Sequence, residues 1–285
     1  MASWLIYIKE RFPLPVYAVL VGGLAWSGNV MARGSFEPRG FSIVFTGLML
    51  FFALLRLMDE YKDYEKDKII NPKRPLPRGV LKVDHVARVI DGLIVLMLAF
   101  AGFTGWAQSF EAGLCYLVIT FWLWLMYKEF FLGQWIIDRP LVYAVSHQLI
   151  LLPLCAYAVI VHDWERAYDA TTWWYGGCVL GAFFSYEVCR KLDPDAHPLA
   201  KTYLAIYGGP KVLALVIMLN LVGGVSAYFL GLGLWLWLPE LATIFTLAWI
   251  VKWPNQFKWA ENVATLSLVL HIWALSFAYF LNFRG

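Results

Sequence analysis

The feature that most constrains the fold of this chain is a series of nine long apolar segments. Each approaches the roughly 20 residues that an α-helix needs to cross a bilayer. Inside lipid the backbone must satisfy its own hydrogen bonds, and a helix does so within one segment. The sequence therefore predicts an all-α polytopic bundle, a single membrane domain over residues 1–285 with about nine transmembrane helices around a central cavity. The predicted spans are residues 14–31, 41–58, 88–106, 113–130, 141–161, 172–189, 211–230, 233–251 and 260–282.

Composition excludes an ordinary soluble domain. Hydrophobic residues make up 61% of the chain and charged residues only 15%, whereas soluble domains carry about 25% charged residues. No polar stretch is long enough to form a separate soluble domain. The four cysteines fall within predicted spans and lack the spacing of a zinc site or a disulfide framework. We therefore interpret them as small packing residues.

The distribution of Lys and Arg predicts the orientation in the membrane. If the N-terminus is cytoplasmic, 19 of the 23 basic residues lie in cytoplasmic segments, and only Arg33, Arg39, Arg166 and Arg284 lie outside. Residues 1–12 then form a short interfacial helix, without a cleavable signal. The basic face should attract anionic lipid rather than nucleic acid. We predict an integral multi-pass protein of a bacterial inner membrane or an organelle membrane, with the central cavity open to the cytoplasm.

A run of acidic residues ends the second span. Glu60, Asp63 and Asp67 are spaced i, i+3 and i+7, so a continuous helix would place all three carboxylates on one face. Mg²⁺ prefers oxygen ligands and commonly bridges carboxylates to phosphate. Arg56 lies one turn before Glu60 and is expected to help hold a diphosphate. The alternative is an internal Arg–Glu ion pair at the end of the span. Because charged clusters at span ends are usually functional, the run predicts magnesium-dependent diphosphate chemistry at the membrane surface.

The neighbours of these carboxylates allow two interpretations. For Asp59, Lys62 and Lys66, a solvated helix face fits at least as well as a binding role. Residues 71–79 contain three prolines, so they cannot be helical throughout and should form a stiff loop near the cavity. The three cations of this loop either touch phosphate or anchor the topology. They are Lys73, Arg74 and Arg78.

The sixth span ends in a second charged cluster. Glu187, Arg190 and Lys191 are helical neighbours at i, i+3 and i+4. Asp193 and Asp195 follow at the exit of the helix, where a proline ends it. We expect Glu187 to complete a second metal site with one of these aspartates. The alternative is an ordinary capping and snorkelling cluster.

Further candidates for a ligand site are polar or aromatic residues inside apolar spans. His147 and Gln148, with Tyr143 one turn before, either face a substrate or form interhelical hydrogen bonds. His271 has the same two interpretations, and His197 is a loop residue that would gate the cavity. Aromatic side chains that would line the cavity, or else serve packing, are Trp122, Trp124, Tyr127, Trp173, Trp174 and Tyr186.

The first acidic run resembles a motif of the UbiA superfamily of intramembrane prenyltransferases, Asn-Asp-x-x-Asp-x-x-x-Asp at the end of the second span. Asp59 stands in the position of the Asn and Glu60 in that of the first Asp, while Asp63 and Asp67 match. An Arg-Pro-Leu-Pro-x-Gly segment common after the motif is matched by residues 74–79. Nine spans and two polar cytoplasmic loops also match, so the resemblance covers the whole chain.

The second cluster departs from the family pattern. Tyr186-Glu187 resembles a Tyr-Asp pair with Glu for Asp, but Arg190 and Lys191 stand where relatives carry Tyr, Lys or Asp. At the end of the fourth span, Tyr127-Lys128 resembles a Tyr/Lys pair that meets diphosphate in relatives. The resemblance therefore supports the diphosphate site more strongly than the acceptor site.

The resemblance implies Mg²⁺-dependent transfer of a prenyl group from a prenyl diphosphate to a small acceptor, either an aromatic ring or a phosphorylated sugar or polyol. An intramembrane terpene cyclase and a non-catalytic prenyl-diphosphate-binding protein are the alternatives. The implied catalytic residues are Glu60, Asp63, Asp67 and Glu187. The implied metal ligands are Asp59, Glu60, Asp63, Asp67, Glu187, Asp193 and Asp195. The implied substrate-binding residues are Arg56, Tyr127, Lys128, His147, Tyr186, Arg190 and Lys191.

Overall fold

A computed structural model of the chain describes residues 2–281, without the side chains of Ala2, Leu234 and Tyr279. Arg284 and the last residue of the predicted ninth span lie outside the described residues. The described residues form α-helices joined by short 3₁₀ turns and loops, without strands. The helices are α1 (Ala2–Arg11), α2 (Leu14–Arg33), α3 (Pro38–Lys62), α4 (Tyr64–Ile70), α5 (Val83–Ala107), α6 (Phe110–Tyr127), α7 (Gln134–Ile137), α8 (Pro140–Gln148), α9 (Leu151–Ile160), α10 (Ala170–Arg190), α11 (Tyr203–Tyr207), α12 (Gly209–Phe229), α13 (Gly233–Lys252) and α14 (Lys258–Phe280).

Within the described part of the chain, eight helical segments are long and apolar enough to cross a membrane. They are α2, α3, α5, α6, α8 with α9, α12, α13 from Trp235 and α14 to Ala278. The predicted sixth span corresponds to α10, which has 21 residues but is not among the eight. Its polar side chains Thr172 and Ser185 are buried. Because α10 packs between α9, α12 and α14, protein contacts shield polar groups that lipid would not accept. The all-α membrane bundle is confirmed, and the count of nine spans is approximate.

The helices form a closed ring. Each long helix packs against its neighbour in sequence, and α14 returns to pack against α2. Further contacts of α2 with α9 and of α10 with α14 fill the middle of the ring. The largest fully buried side chains include Tyr116, Tyr157 and Tyr175, whose rings lie in this core. Tyr116 donates a hydrogen bond to the carbonyl of Gly47 at 2.8 Å, so its hydroxyl is satisfied inside the apolar core.

The predicted fifth span is interrupted. Residues 149 and 150 form a turn between α8 and α9 instead of continuing one helix. Pro153 lies in the first turn of α9, and its ring conflicts with a helical carbonyl four residues earlier, at Leu149. The break gives the fifth span two segments, and α8 carries His147 towards the ends of α3 and α6.

Three connecting segments cover the end of the bundle that carries the acidic residues. They are residues 63–82, 128–139 and 191–208. The second and third are joined by an ion pair between Lys201 and Asp138 at 3.2 Å, and the first contacts the third where α4 meets Pro198–Ala200. The proline-rich stretch 71–79 is irregular, as its sequence predicts. α1 also lies at this end, since Arg11 pairs with Glu60.

Candidate active site

Glu60 lies near the end of α3 and its carboxylate is almost completely buried. One oxygen, Oε1, accepts hydrogen bonds from Arg11 of α1 and from Arg56 at 3.3 Å. Arg56 and Glu60 therefore form the ion pair that was the alternative interpretation for Arg56. The other oxygen, Oε2, has no hydrogen-bond partner within the described residues, nor do Arg56 Nε and the Tyr7 hydroxyl, and all three atoms are buried. Buried polar atoms without partners are costly, so this cluster is poised to bind a further polar group.

Asp67 is paired in the same way further along the chain. Its carboxylate is 1% exposed and accepts hydrogen bonds from Arg74 and, at 2.8 Å, from the Asn71 side chain. Arg74 belongs to the proline-rich loop, so this ion pair fastens the loop to α4. Arg74 was predicted either to touch phosphate or to anchor the topology. The structure instead shows it in an ion pair with a carboxylate of the acidic run.

The three carboxylates do not converge, contrary to the sequence interpretation. The helix is interrupted at Asp63, which lies between α3 and α4. Glu60 and Asp67 each turn to an arginine, while among the described residues the half-exposed Asp63 has only a distant ion pair with Lys66 at 3.9 Å. A common face for all three carboxylates requires one continuous helix without competing cations from elsewhere in the chain.

Asp59 is the carboxylate of the run with the fewest partners. Within the described residues its side chain forms no hydrogen bond or ion pair, although the charges of Lys62, Asp63 and Glu187 act on it. It lines a small pocket of about 10 Å³, which has room for about one water molecule. Tyr127 and His147 line the same pocket. The end of α3, the end of α6 and α8 thus meet at one point.

Lys62 belongs to this site rather than to a solvated helix face. Its ammonium group lies 2.7 Å from a carboxylate oxygen of Glu129 and donates hydrogen bonds to the Tyr143 hydroxyl and the Met126 carbonyl. Glu129 is not among the site residues predicted from the sequence. Its position directly after the Tyr127-Lys128 pair was the available signal, but nothing in the local pattern linked it to a lysine 67 positions earlier.

His147 completes this cluster. Its Nδ1 donates to the Tyr143 carbonyl at 2.7 Å, so its Nε2 is left as an acceptor. Nε2 is buried without a hydrogen-bond partner in the described part of the chain, and it lies 4.0 Å from Glu129 Oε2, which is also unpartnered. The Tyr143 ring stacks on the imidazole with centroids 3.9 Å apart. The imidazole is therefore held in one orientation, with a free lone pair at the pocket.

The backbone that presents Glu129 is strained. Three consecutive residues, Glu129 to Phe131, have φ values of 50°, 51° and 57°. The left-handed region costs about 1–2 kcal/mol per non-glycine residue. Such strain persists where surrounding structure enforces it, often at functional sites. It also ends the fourth span at Tyr127, earlier than the predicted residue 130.

The second acidic cluster is held by its own cations. Glu187 accepts from Arg190 and Lys191, each at 2.6 Å. Asp193 accepts a hydrogen bond at 2.9 Å from the backbone N–H of Asp195 and so stabilises a local turn. The expected metal site shared by Glu187 and one of these aspartates stays a prediction. The charge of Glu187 nevertheless acts on Asp59, so the two clusters face each other.

The remaining candidates occupy varied positions. Tyr127 lines the pocket, while Lys128 is exposed and lies over the Tyr127 ring at 5.0 Å from its centroid. Tyr186 is half-buried, with the Arg190 guanidinium 6.0 Å from its ring centroid. Trp173 and Trp174 lie in the first turn of α10, at the opposite end of that helix from Glu187. These two tryptophans are not brought to the site.

The two other histidines singled out by sequence do not line the pocket. His271 forms a buried pair with Glu240 of α13 at 3.0 Å. His197 Nδ1 accepts a hydrogen bond at 3.2 Å from the Leu199 backbone N–H in an exposed turn. Neither contacts the pocket residues.

The fit of a magnesium ion depends on the substrate. Among the described residues, no group of three or more His, Cys, Asp or Glu is placed to hold a metal ion. Mg²⁺ is usually bound by one or two carboxylates together with substrate phosphates rather than by an all-protein cage. Asp59 and Asp63, which lack a close cation partner in this structure, suit that role.

The site carries a strong positive field beside its carboxylates. Burial, together with the charge of Arg56, lowers the pKa of the Arg11 guanidinium below its ordinary value, and the charge of Arg74 acts in the same direction. Arg190 and Lys191 add two cations around Glu187. An anionic substrate would therefore meet cations from α1, α3, α10 and the proline-rich loop.

Comparison with known proteins decides the family. The model of the UbiA prenyltransferase family matches residues 18–275. The chain belongs to the UbiA prenyltransferase family. Parts of this chain are similar to three proteins named digeranylgeranylglyceryl phosphate synthase. They are those of Thermococcus kodakarensis, 27% identical over 157 residues, Thermococcus sibiricus, 26% over 166 residues, and Thermococcus onnurineus, 35% over 68 residues.

These similarities are partial. The first two cover 52% of this chain and 57% and 56% of the relatives, and the third covers 24% and 25%. The chain thus spans about half or less of the length of the curated relatives it matches. A solved structure described as giving insights into digeranylgeranylglyceryl phosphate synthase in membranes matches over 96% of this chain and 100% of its own, with a TM-score of 0.63. At 16% identity that likeness shows a shared fold.

Proposed function

We propose that this UbiA family member transfers a prenyl group from a prenyl diphosphate to a phosphorylated polyol in the membrane. The observation that carries the proposal is the family match over residues 18–275. The three similar synthases, whose name contains glyceryl phosphate, favour a phosphorylated polyol over an aromatic ring. The cations Arg190 and Lys191 beside the second cluster support an anionic acceptor.

The residues at the pocket have chemistry suited to the transfer. Breaking the allylic C–O bond leaves charge on the diphosphate, which nearby cations stabilise. Arg56 is the expected diphosphate contact, with its Nε still without a partner in the described residues. We assign Mg²⁺ to Asp59 and Asp63 with the diphosphate, where it would neutralise the leaving group. The N-terminus is proposed to be cytoplasmic, because 19 of 23 basic residues then lie on the cytoplasmic side.

The acceptor hydroxyl must lose a proton as the new C–O bond forms. His147 Nε2 is a buried acceptor at the pocket, and Glu129 Oε2 lies 4.0 Å away to stabilise the imidazolium. We assign His147 as the proton acceptor and Glu129 as its positioning residue. The balance of the step is one ether bond formed, one C–O bond broken, one proton to His147 and one diphosphate released.

Diphosphate release from purified protein in nanodiscs tests the proposal. Prenyl diphosphates of increasing length would be assayed with and without Mg²⁺, and with and without a prenylated glyceryl phosphate. We expect release to require both Mg²⁺ and the acceptor. Release without any acceptor would favour a terpene cyclase or a hydrolase. Binding of prenyl diphosphate without any release would favour the non-catalytic alternative.

A further inference from the structure

Lys62, the last residue of α3, extends its side chain across the site to three oxygen atoms on other segments. Its ammonium nitrogen lies 2.7 Å from Glu129 Oε1. It also lies 3.2 Å from the Met126 carbonyl in the last turn of α6 and 3.3 Å from the Tyr143 hydroxyl on α8. One side chain therefore joins α3 to α6, to the turn that follows α6, and to α8.

These contacts use the whole donor capacity of the Lys62 ammonium group. A lysine has three N–H donors, and three oxygens lie within 3.3 Å of this nitrogen. A diphosphate could bind Lys62 only by displacing one of them. His147 Nε2, contributed by another residue of the same pocket, is by contrast without a hydrogen-bond partner in the described residues. Lys62 is therefore placed to hold its neighbours rather than to bind a ligand.

Glu129 depends on Lys62 for its place in the site. Its backbone lies in the left-handed region, with a φ of 50°. Its side chain is only 17% exposed, and its Oε2 is buried without a hydrogen-bond partner among the described residues. A carboxylate in such a position is costly unless a cation pairs with it. The 2.7 Å contact with Lys62 supplies that cation and helps to keep the strained turn in its conformation.

Lys62 also contacts the residue that supports the His147 imidazole. The Tyr143 hydroxyl accepts a hydrogen bond from Lys62, while the Tyr143 ring stacks on the imidazole with centroids 3.9 Å apart. The Tyr143 carbonyl accepts from His147 Nδ1 at 2.7 Å. Glu129 Oε2 lies 4.0 Å from the other imidazole nitrogen, Nε2. The ring face and the carboxylate beside Nε2 are thus both attached to one ammonium group.

We propose that Lys62 is a positioning residue for His147 and Glu129. The inference rests on the proposed function and deepens it by naming the residue that sets the geometry of the proton acceptor. Lys62 holds the Glu129 carboxylate near Nε2 and holds Tyr143 against the imidazole, so that the Nε2 lone pair faces the pocket. It contacts neither the diphosphate nor the acceptor.

A double-mutant cycle on the transfer rate tests this role. Lys62→Met, Glu129→Gln and the double variant would be assayed in nanodiscs with prenyl diphosphate, Mg²⁺ and a prenylated glyceryl phosphate. We expect each single variant to lower kcat by about ten- to a hundredfold, the effect of misplacing a catalytic group, without changing KM for the donor or the Mg²⁺ dependence. The double variant should be no slower than the slower single variant, because both changes remove one interaction.

The control is Lys68→Met, which removes an exposed lysine that pairs with Glu65 on α4. It should keep the parental kcat, and thermal unfolding should show that each variant is folded. If Lys62→Met does not fold, Lys62→Gln, which keeps an amide donor in place of the ammonium group, takes its place in the same cycle.

The orientation of the imidazole can be followed without turnover. Nitrogen NMR of the chain with labelled histidine rings reports which ring nitrogen carries the proton, and His147→Gln assigns the signal. We expect the parent to show His147 protonated at Nδ1, as its bond to the Tyr143 carbonyl requires. Lys62→Met and Glu129→Gln should each change this signal, whereas Lys68→Met should leave it as in the parent.

Three outcomes would overturn the inference. Additive losses of kcat in the cycle would show that Lys62 acts independently of Glu129. A raised KM for the donor in Lys62→Met would show that it binds the diphosphate directly. A His147 signal unchanged in Lys62→Met would show that it does not orient the imidazole. The expected change in that signal, in a protein that shows no prenyl transfer, would contradict the proposed function alone.

Discussion

At the scale of single residues, the carboxylates of the acidic run differ in how free they are to bind a ligand. Glu60 and Asp67 are buried against arginines. Asp59 lines the pocket without a close partner in the described residues, and Asp63 is half-exposed. The two freer carboxylates are therefore the ones that can accept a metal–diphosphate complex without first breaking a close ion pair.

Replacing Asp63 should remove turnover and leave the fold intact. We expect Asp63→Asn to lower kcat/KM for the prenyl diphosphate by at least about a hundredfold, because a neutral amide is a poor Mg²⁺ ligand. Steady-state diphosphate release measures the effect, with thermal unfolding as the check on folding. Glu65→Gln is the matched control, since Glu65 is exposed and, in the part of the chain that the structure describes, pairs only with Lys68. Equal activity of the two variants would exclude Asp63 from the site.

Replacing His147 should slow the chemical step. His147→Gln keeps a side chain that can hydrogen-bond to Tyr143 but removes the base, and general acid–base groups contribute about 10²–10⁴-fold. We expect kcat to fall within that range with little change in KM for the donor. A pH–rate profile should also lose its limb on the acidic side, where protonation of the base stops turnover. A variant with parental kcat and an unchanged profile would remove His147 from the mechanism.

The residue types of the site were predictable, but their pairings were not. The spacing of Glu60, Asp63 and Asp67 is visible in the sequence, whereas Arg11 lies 49 positions before its partner Glu60. An ion pair of that separation is fixed by the position of α1 against α3, which no local pattern encodes. Lys62 was open to a solvated interpretation for the same reason, because its partner Glu129 is on another segment.

At the scale of elements, close helix packing depends on residues without side chains. A Cβ added at Gly181 in α10 would lie 2.6 Å from the Gly223 nitrogen and the Leu219 carbonyl oxygen of α12. Backbone atoms cannot move aside as flexible side chains do. Small residues at such contacts are typical of membrane helix interfaces.

Gly181→Ala should destabilise the bundle. We expect a loss of about 1–3 kcal/mol in the free energy of unfolding, because overpacking forces α10 and α12 apart. Gly102→Ala in α5 is the control, since nothing lies within 4 Å of the added Cβ and alanine favours a helix by about 1 kcal/mol over glycine. Detergent-induced unfolding followed by circular dichroism compares the two. Similar stabilities would show that α10 and α12 tolerate a wider separation.

Helix positions were largely predictable from hydropathy, and their irregularities were not. Lipid imposes long apolar helices, so the spans could be placed to within a few residues. The break at residues 149–150 and the left-handed turn at Glu129 to Phe131 depend on contacts with other segments. α10 is less apolar than the other spans because its neighbours, rather than lipid, cover Thr172 and Ser185.

At the scale of the whole molecule, one buried histidine should make stability depend on pH. His162 follows α9, and Asn29 and Glu37 lie 3.0 Å and 3.4 Å from its Nδ1. Burial, opposed by the charge of Glu37 and assisted by that of Arg33, lowers the pKa of His162 to about 4. The neutral imidazole is therefore the form compatible with the fold.

We expect the stabilising effect of this neutral form to be complete above pH 6.5 and to be lost as the pH falls from 6.5 towards 4. In that range the unfolded chain binds a proton that the folded chain does not, so stability rises with pH by at most about 1.4 kcal/mol per unit. Unfolding at several pH values should show this slope, and His162→Gln should reduce it. The exposed His197→Gln is the control. An unchanged slope in His162→Gln would contradict the assignment.

The family fold also places the two charged clusters at one end of the molecule. α3 and α10 each end there, and three connecting segments cover their ends. Charge on Glu187 acts on Asp59 across this end, although 128 positions separate them in sequence. This end of the molecule therefore has two adjacent cationic sites. The proposed transfer from a diphosphate to a phosphorylated acceptor needs one such site for each anionic ligand.

The most direct test of prenyl transfer to a phosphorylated polyol is the mass of the product. The purified chain would be incubated in nanodiscs with geranylgeranyl diphosphate, Mg²⁺ and a prenylated glyceryl phosphate, and the lipids analysed by mass spectrometry. We predict a new species in which one hydroxyl hydrogen of the acceptor is replaced by the prenyl group, absent with Asp63→Asn. Recovery of unmodified acceptor together with free prenol or cyclic hydrocarbon would contradict the account.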